Sequence, residues 1–360
     1  MSPRRSAPNP RGRERRVFVI AEVGMNHDGS FGNACRLIDA AADCGVDAVK
    51  FQTHLADAET LPEAPSPPYF SAESRYAYFT RTAFSLDEWR RLKAHCGSAG
   101  VEFLSSPFSL EAVALLEQVG VSRYKIPSGE VTNLPLMEAI ARTGKPILLS
   151  SGMSSWAELD AAVQAIRRHH DRLTVLQCTS EYPCPDERVG LNVMQEIRAR
   201  YHRPFGLSDH TLSPYAAFAA VTLGATVIEK HFTLSRLVYG SDAKHSLEPP
   251  EFVELVRGIR SIERMLASPV DKDDTSRFKE IKRIFEKSLV ARRDIPAGSR
   301  ITEEMLCVKK PGTGISASRY RQVMGRRARR AIAASSVLRD ADVEWADGEI
   351  QRTRTRTSHA

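Results

Sequence analysis

Residues 225–233 read ATVIEKHFT, a run of Val and Ile that opens apolar and closes on Glu229 and His231. Seven other segments share this design: 17–24 (VFVIAEVG), 48–54 (AVKFQTH), 101–107 (VEFLSSP), 123–129 (RYKIPSG), 146–153 (PILLSSGM), 173–180 (LTVLQCTS) and 205–210 (FGLSDH). Branched and aromatic residues in runs this short form strands. Between them lie stretches with helical spacing, at 31–44, 86–99, 109–118, 133–143, 156–170, 190–201, 213–223 and 250–267. Strands that each lead into a helix, eight times over, predict a (β/α)8 TIM barrel, and its usual size of about 250 residues suits 17–267. An open doubly wound sheet is the alternative. It needs fewer strands, and no G-x-G-x-x-G follows the first strand here.

Outside the barrel the texture changes. Residues 268–287 are highly charged and read as a linker. Residues 288–346 hold short strands and turns with an internal echo, IPAGSRI at 295–301 against IAASSVL at 332–338. Each copy is followed by an acidic helix start, which predicts a small β-rich domain of two half-repeats. Of the 360 residues, 42% are hydrophobic and 26% charged, which excludes a wholly disordered, collagenous or low-complexity chain. No apolar run reaches the roughly 18 residues of a membrane span. The net charge of +7 gathers at the ends: residues 1–16 hold six Arg and one Glu, and residues 351–360 hold three Arg. The body between them is near neutral. We read 1–16 and 347–360 as disordered, solvated arms, with no nucleic-acid partner expected. The basic arm runs directly into a strand, so no secretory leader is expected. The six cysteines are scattered without a C-x-x-C pair, which fits a reducing cytoplasm and gives no zinc or disulfide framework.

The polar strand ends are where chemistry is expected, because in a barrel they converge on one mouth. In order they offer Glu22, Lys50 with Gln52, Ser105 with Ser106, and Lys125 with Ser128 and Glu130. Then come Ser150 with Ser151, Gln177 with Ser180, Ser208 with His210, and Glu229 with His231. Two lysines among many hydroxyls suit a phosphate or carboxylate ligand. A structural Lys–Glu ion pair is the other reading of either lysine. His210 and His231 stand at the ends of successive strands and either share one divalent metal ion or are each only hydrogen-bonded. Long connections at 55–85 and 232–249 both follow strands, on the same face.

At these residues the sequence resembles the sialic acid synthases (N-acetylneuraminate synthases) and their relatives, the legionaminic and pseudaminic acid synthases. The shared landmarks are AEVGMNHDGS, DAVKFQTH, FLSSPFS, YKIPSGEVTNLPL, KPILLSSGMSS, QCTSEYPCP, GLSDHTLS, VIEKHFTLSR and VYGSDAKHSLEP. SLVARRDIPAGSRITEEMLCVKKPGTGIS is similar to the family's C-terminal antifreeze-like (SAF) domain. The resemblance implies metal-dependent condensation of phosphoenolpyruvate with an open-chain N-acyl amino sugar, giving a nonulosonic acid and phosphate. The sugar is N-acetylmannosamine or a diacetamido-trideoxyhexose. Phosphoenolpyruvate falls to Lys50, Ser106, Lys125, Ser128, Ser150, Ser180 and Ser208, and the metal to His210 and His231. Mn²⁺ is the first expectation, with Mg²⁺ and Co²⁺ as alternatives. Gln52, Glu130, Tyr182 and Asp242 fall on the sugar side; Glu22, Lys50, Glu130 and Glu229 are the expected catalytic residues. A domain-swapped homodimer is also implied, in which Lys310 reaches the partner's site.

Several positions depart from the pattern. Ser180 stands where the free-sugar sialic acid synthases have Asn, and Glu181 where those synthases have Ile. The loop VYGSDAKHSLEP keeps Asp242 but differs around it. Lys310 stands where the family has an Arg, keeping the charge but losing the bidentate fork. A related barrel using another aldose, or an inactive sugar-binding barrel, is the competing expectation.

Overall fold

The computed structural model describes residues 16–65 and 73–345. The arms expected at 1–16 and 347–360 therefore lie outside the described residues, apart from Arg16, as does the middle of the 55–85 connection. The chain divides into two compact units between Ser268 and Pro269.

The first unit is an eight-stranded parallel barrel. Its strands are β1 (Phe18–Gly24), β2 (Ala48–Thr53), β3 (Glu102–Pro107), β4 (Tyr124–Ile126), β5 (Ile147–Ser150), β6 (Leu173–Cys178), β7 (Phe205–Asp209) and β8 (Val227–His231). They are hydrogen-bonded in the order β3-β2-β1-β8-β7-β6-β5-β4, and β3 packs against β4 at the closing seam. Helices follow each strand where the spacing placed them, for example Phe31–Asp43, Leu86–Ser98 and Trp156–Arg167. Local chemistry sets their starts: Ser85 with Glu88 and Ser155 with Glu158 form capping boxes. Losing such a cap costs about 1 kcal/mol. Outward strand residues such as Val19, Val49, Phe103 and Leu207 bury against helix residues such as Leu37, Leu92, Leu116 and Ile197. Truncating one of these to Ala removes about 2–5 kcal/mol.

Side chains alternate faces along a strand, and this alternation builds the site. Inside the barrel Ile20, Ala48, Leu104, Leu148, Leu176 and Val227 form an apolar floor. Two residues further along the same strands stand Glu22, Lys50, Ser106, Ser150, Cys178 and Glu229. The change from apolar to polar seen in the sequence is thus a change of layer.

Both long connections fold over the mouth side. After β2 come the short helices Ala56–Glu59 and Arg75–Thr82, and Ala56, Tyr78 and Phe79 cluster with Met25. After β8, Asn26 Nδ2 donates to the Phe232 carbonyl (2.8 Å) and to Ser246 Oγ (3.1 Å), tying that loop to the one after β1.

The second unit begins earlier than the linker reading suggests. Helix Lys279–Phe285 lies within the stretch read as linker, and the Gly312 N–H donates to the Arg283 carbonyl (2.9 Å). Strands β9 (Ser288–Ala291) and β10 (Leu306–Lys309) pair antiparallel. The echoed segments meet: Ile295 and Ile332 exchange both backbone hydrogen bonds at 2.9 Å. Ile301 and Leu338 are both buried, and the 3-10 turns Glu303–Met305 and Asp340–Asp342 follow them. The near-neutral body is a sum of opposites. Residues 17–268 hold 24 Lys and Arg against 30 Asp and Glu; residues 269–345 hold 18 against 11.

Candidate functional site

A cavity of about 480 Å³ opens at the C-terminal ends of the barrel strands. Its floor is the polar layer. Lys50 Nζ lies 2.7 Å from Glu22 Oε2 and donates to Ser106 Oγ at 3.2 Å, with Glu229 Oε2 at 4.0 Å. Lys125 Nζ lies 3.1 Å from Glu229 Oε1, which also accepts from Ser208 Oγ at 2.9 Å. Gln52 Nε2 donates to Glu22 Oε1 at 2.9 Å. Glu22, Lys50, Lys125 and Glu229 are all buried.

The two glutamates are held in different states. Burial raises the Glu22 pKa and outweighs the pull of Lys50; the Glu229 charge adds to the rise. Burial acts on Glu229 too, but Lys125, Lys50 and the Ser208 hydroxyl outweigh it and hold Glu229 below the ordinary value. Lys50 is disfavoured by burial, yet Glu22 and Glu229 keep its pKa raised. Carboxylates driven apart in this way suit separate roles, one anchoring charge and one moving a proton.

Beside this layer two glycines let polar side chains pack directly against the backbone. A Cβ on Gly152 would lie 2.2 Å from Ser128 Oγ and 2.3 Å from Ser180 Oγ, so both hydroxyls converge on a spot that only glycine leaves open. The buried Ser150 Oγ has no hydrogen-bond partner in the described structure. Gly24, at φ +54°, does the same on the other side: a Cβ there would lie 2.5 Å from Asp242 Oδ2.

His210 and His231 face one another with ring centroids 5.4 Å apart, and Tyr182 stacks on His210 at 4.1 Å. His210 Nδ1 donates to the Thr179 carbonyl at 2.7 Å, which leaves Nε2 free to accept. Burial lowers His210, but the Cys178 sulfur and the Thr179 carbonyl more than reverse this and raise its pKa. Burial takes His231 down to about 4, against the nearby Asp242. His231 is therefore neutral, the ligating form, and its buried Nδ1 has no hydrogen-bond partner. No three His, Cys, Asp or Glu among the described residues are grouped to hold a metal ion. The site thus offers two imidazoles, which fits a cation whose other positions belong to water or substrate oxygen.

The fold brings nearly all the expected residues together. Glu22, Lys50, Gln52, Lys125, Ser128, Glu130, Ser150, Ser180, Tyr182, Ser208, His210, Glu229, His231 and Asp242 all line the cavity. Ser106 stands behind Lys50. Lys310 belongs to the second unit, where it is exposed with Nζ 4.8 Å from the Phe285 ring centre. Ser105 and Gln177 point outward: Ser105 Oγ pairs with Thr53 Oγ1 at 2.7 Å, and Gln177 Nε2 donates to the Val189 carbonyl at 3.1 Å. Cys178 takes the inward place instead. His27 is buried packing, stacked on Phe84 at 4.6 Å, whereas His245 lines the cavity. Sequence reasoning missed His54, Glu59, Arg75, Phe79 and Phe108 in the wall. His54 carried a signal, since it shares the inward parity of Lys50 and Gln52. Arg75 carried none, because only the folded loop returns it to the mouth.

Residues 37–271 match the family model described as the NeuB family, and residues 286–344 match the SAF domain. The N,N'-diacetyllegionaminic acid synthase of Campylobacter jejuni is 38% identical over 334 residues, 91% of this chain and 100% of that one. The human N-acetylneuraminate-9-phosphate synthase is 37% identical over 303 residues, 83% of this chain and 84% of that one. The crystal structure of the N-acetylneuraminic acid synthetase from Leptospira borgpetersenii is similar with a TM-score of 0.66 at 31% identity, covering 75% of this chain and 91% of that one.

Proposed function

The chain belongs to the NeuB family, and we therefore propose that it condenses phosphoenolpyruvate with an open-chain N-acyl amino sugar to give a nonulosonic acid and phosphate. The observation that carries this reading is the buried layer of two lysines and two glutamates ringed by serine hydroxyls. Lys50 and Lys125 supply the charge for a phosphate and a carboxylate, and Ser128, Ser150, Ser180 and Ser208 supply short hydrogen bonds. Ser106 and Glu229 hold the two ammonium groups in place.

The reaction joins the enol carbon of phosphoenolpyruvate to the sugar aldehyde carbon, and the aldehyde oxygen takes a proton. Positive charge then appears at the carbon bearing the phosphate. Water adds there, and the tetrahedral adduct loses phosphate to leave a 2-keto acid. Glu22 is the group suited to this centre. As a carboxylate beside Lys50 it stabilises the cation and orients the water; with its raised pKa it also accepts the proton that water gives up. His210 and His231 would hold a divalent ion, Mn²⁺ in the first place, which would supply Lewis-acid polarisation of the aldehyde. Gln52, Glu130, Tyr182 and Asp242 take the sugar hydroxyl and acyl groups. Glu130 and Asp242 outnumber Arg75 among the charged residues of the outer wall, which supports a neutral sugar over a phosphorylated one. A homodimer in which Lys310 touches the partner's acyl group belongs to the same reading; exposed Phe278, Ile281 and Ile284 support a partner chain. Its free cysteines suit the reducing cytoplasm.

The test is phosphate release from phosphoenolpyruvate with Mn²⁺ and a sugar panel, products being weighed by mass spectrometry. The panel holds N-acetylmannosamine, its 6-phosphate and diacetamido-trideoxyhexoses. Release with a neutral sugar, lost on chelation and restored by Mn²⁺, is expected. Release without carbon–carbon bond formation, or no calorimetric binding of phosphoenolpyruvate, would overturn the reading.

A further inference from the structure

Behind Glu22, Gln52 leads to a pair that the mechanism above gives no part in the chemistry, His54 and Glu59. Gln52 Nε2 donates to Glu22 Oε1 at 2.9 Å, so the other end of that amide, Oε1, faces away from Glu22. It lies 3.0 Å from His54 Nε2. An amide oxygen only accepts, so His54 Nε2 must carry a hydrogen and donate it. The other ring nitrogen, Nδ1, lies 2.6 Å from Glu59 Oε1, with one proton shared between them. Glu59 is itself anchored by the Leu55 N–H, which donates to its Oε2 at 3.3 Å. The imidazole is clamped between two rings, Phe79 at 3.7 Å and 5° and Phe108 at 4.1 Å and 22°. His54 and Glu59 are both buried in the side-chain sense, at 5% and 7% exposure.

From this geometry we infer that His54, oriented by Glu59 and the Phe79–Phe108 clamp, is a positioning residue for the proposed condensation. It fixes the Gln52 amide so that its NH₂ faces Glu22. A free amide turns over at little cost, because its two ends have the same shape. Turned over, it would present a carbonyl oxygen to the Glu22 carboxylate and displace it by repulsion. A donor held on the far side forbids this. His54 touches neither Glu22 nor a metal ligand, and its effect is therefore expected on turnover rather than on binding of the enol phosphate by Lys50 and Lys125.

The inference rests on the condensation reading, and the experiment separates the two. Phosphate release by the wild-type chain tests the condensation; the ratio of variant to wild type tests the positioning. H54F keeps the aromatic stack and loses both hydrogen bonds. Its kcat is expected to fall about 10–100-fold with KM for phosphoenolpyruvate changed less than about threefold, as for other displaced catalytic groups. H54Q returns a donor near the Nε2 position and is expected to recover most of that loss. Adding Q52A to H54F is expected to cost little more in kcat at saturating sugar, because the amide has already lost its orientation; the direct sugar contact of Gln52 is read separately in KM for the sugar. A kcat for H54F within threefold of wild type, an additive double variant, or an H54Q as poor as H54F would overturn the inference. Should H54F fail to fold, E59Q leaves the stack in place and is expected to move kcat in the same direction by a smaller factor; an unchanged kcat would count against it. ¹⁵N NMR of the histidines gives a readout without substrate. Nε2 of His54 is expected to be protonated, and an unprotonated Nε2 would refute the scheme even in a fully active enzyme.

Discussion

Lys50 on β2 and Lys230 on β8 are both buried lysines beside a carboxylate, and they differ in what meets the rest of the ammonium. Lys230 points out of the barrel, where Nζ meets Asp209 Oδ2 at 2.6 Å, the Thr211 carbonyl at 2.6 Å and Thr211 Oγ1 at 3.1 Å. Its three N–H donors are all satisfied. Lys50 points in, with Glu22 at 2.7 Å and Ser106 at 3.2 Å, while Glu229 at 4.0 Å lies beyond hydrogen-bond reach and the cavity lies above. The pKa shifts report the nearby carboxylates instead: burial outweighs Asp209 and lowers Lys230, whereas Glu22 and Glu229 together raise Lys50 against its burial. A saturated pair holds structure together. An unsaturated one facing a cavity is held ready for a further anion.

The contrast is open to direct attack. The largest expected effect is that of K125M, inside the barrel. Phosphate release should fall in kcat/KM by about 10²–10³-fold, on the scale of losing a key electrostatic donor. Circular dichroism should change little, and the thermal midpoint should fall less than in K230M, because Glu229 opens on the cavity and keeps the Ser208 hydroxyl and the Lys50 charge. K230M, outside, should do the reverse. It leaves the Asp209 charge buried without its partner, a loss of about 3–5 kcal/mol, read as an earlier urea midpoint with kcat/KM of the folded fraction nearly intact. If K230M were the inactive variant and K125M the unstable one, the distinction between the two faces would be wrong.

Smaller tests sharpen it. G152A adds one carbon where Ser128 and Ser180 converge, and should weaken phosphoenolpyruvate binding or turnover about 10²-fold, with a loss of stability of about 1–3 kcal/mol as the two serines are displaced. An unaffected G152A would remove that spot from the anion site. The smallest effect concerns His27, buried outside the cavity, whose pKa burial lowers to about 3 from an ordinary 6.5. Between these values the unfolded chain binds the proton and the folded chain does not. His27 therefore destabilises the fold as pH drops below 6.5, by up to about 1.4 kcal/mol per pH unit. Chemical denaturation at pH 7, 6 and 5 should show a shallower loss in H27F than in the wild type.

The small unit supplies a comparison of another kind. Its echo was visible because Ile295 and Ile332 head the two copies, and in the fold these residues pair antiparallel. Its first helix was hidden in a charged stretch, because Lys279–Phe285 carries its apolar residues exposed and shows no buried stripe. The split of charge between the units was equally available by counting, yet appears only once the boundary at 268 is known.

The sequence by itself determined the barrel and the composition of its mouth. Strand-forming runs, helical spacing and polar strand ends are local properties, and eight repetitions of one pattern leave few architectures that bury it. Tertiary structure alone decided which neighbour of each polar pair faces the cavity. Ser106 is turned in and Ser105 out, Cys178 in and Gln177 out, Glu229 and His231 in and Lys230 out. Alternation fixes that neighbours oppose one another, but closure of the barrel chooses the parity. Closure and the folding of the β2 and β8 loops also bring Arg75, Glu59 and Asp242 to the wall, across separations that no local spacing encodes.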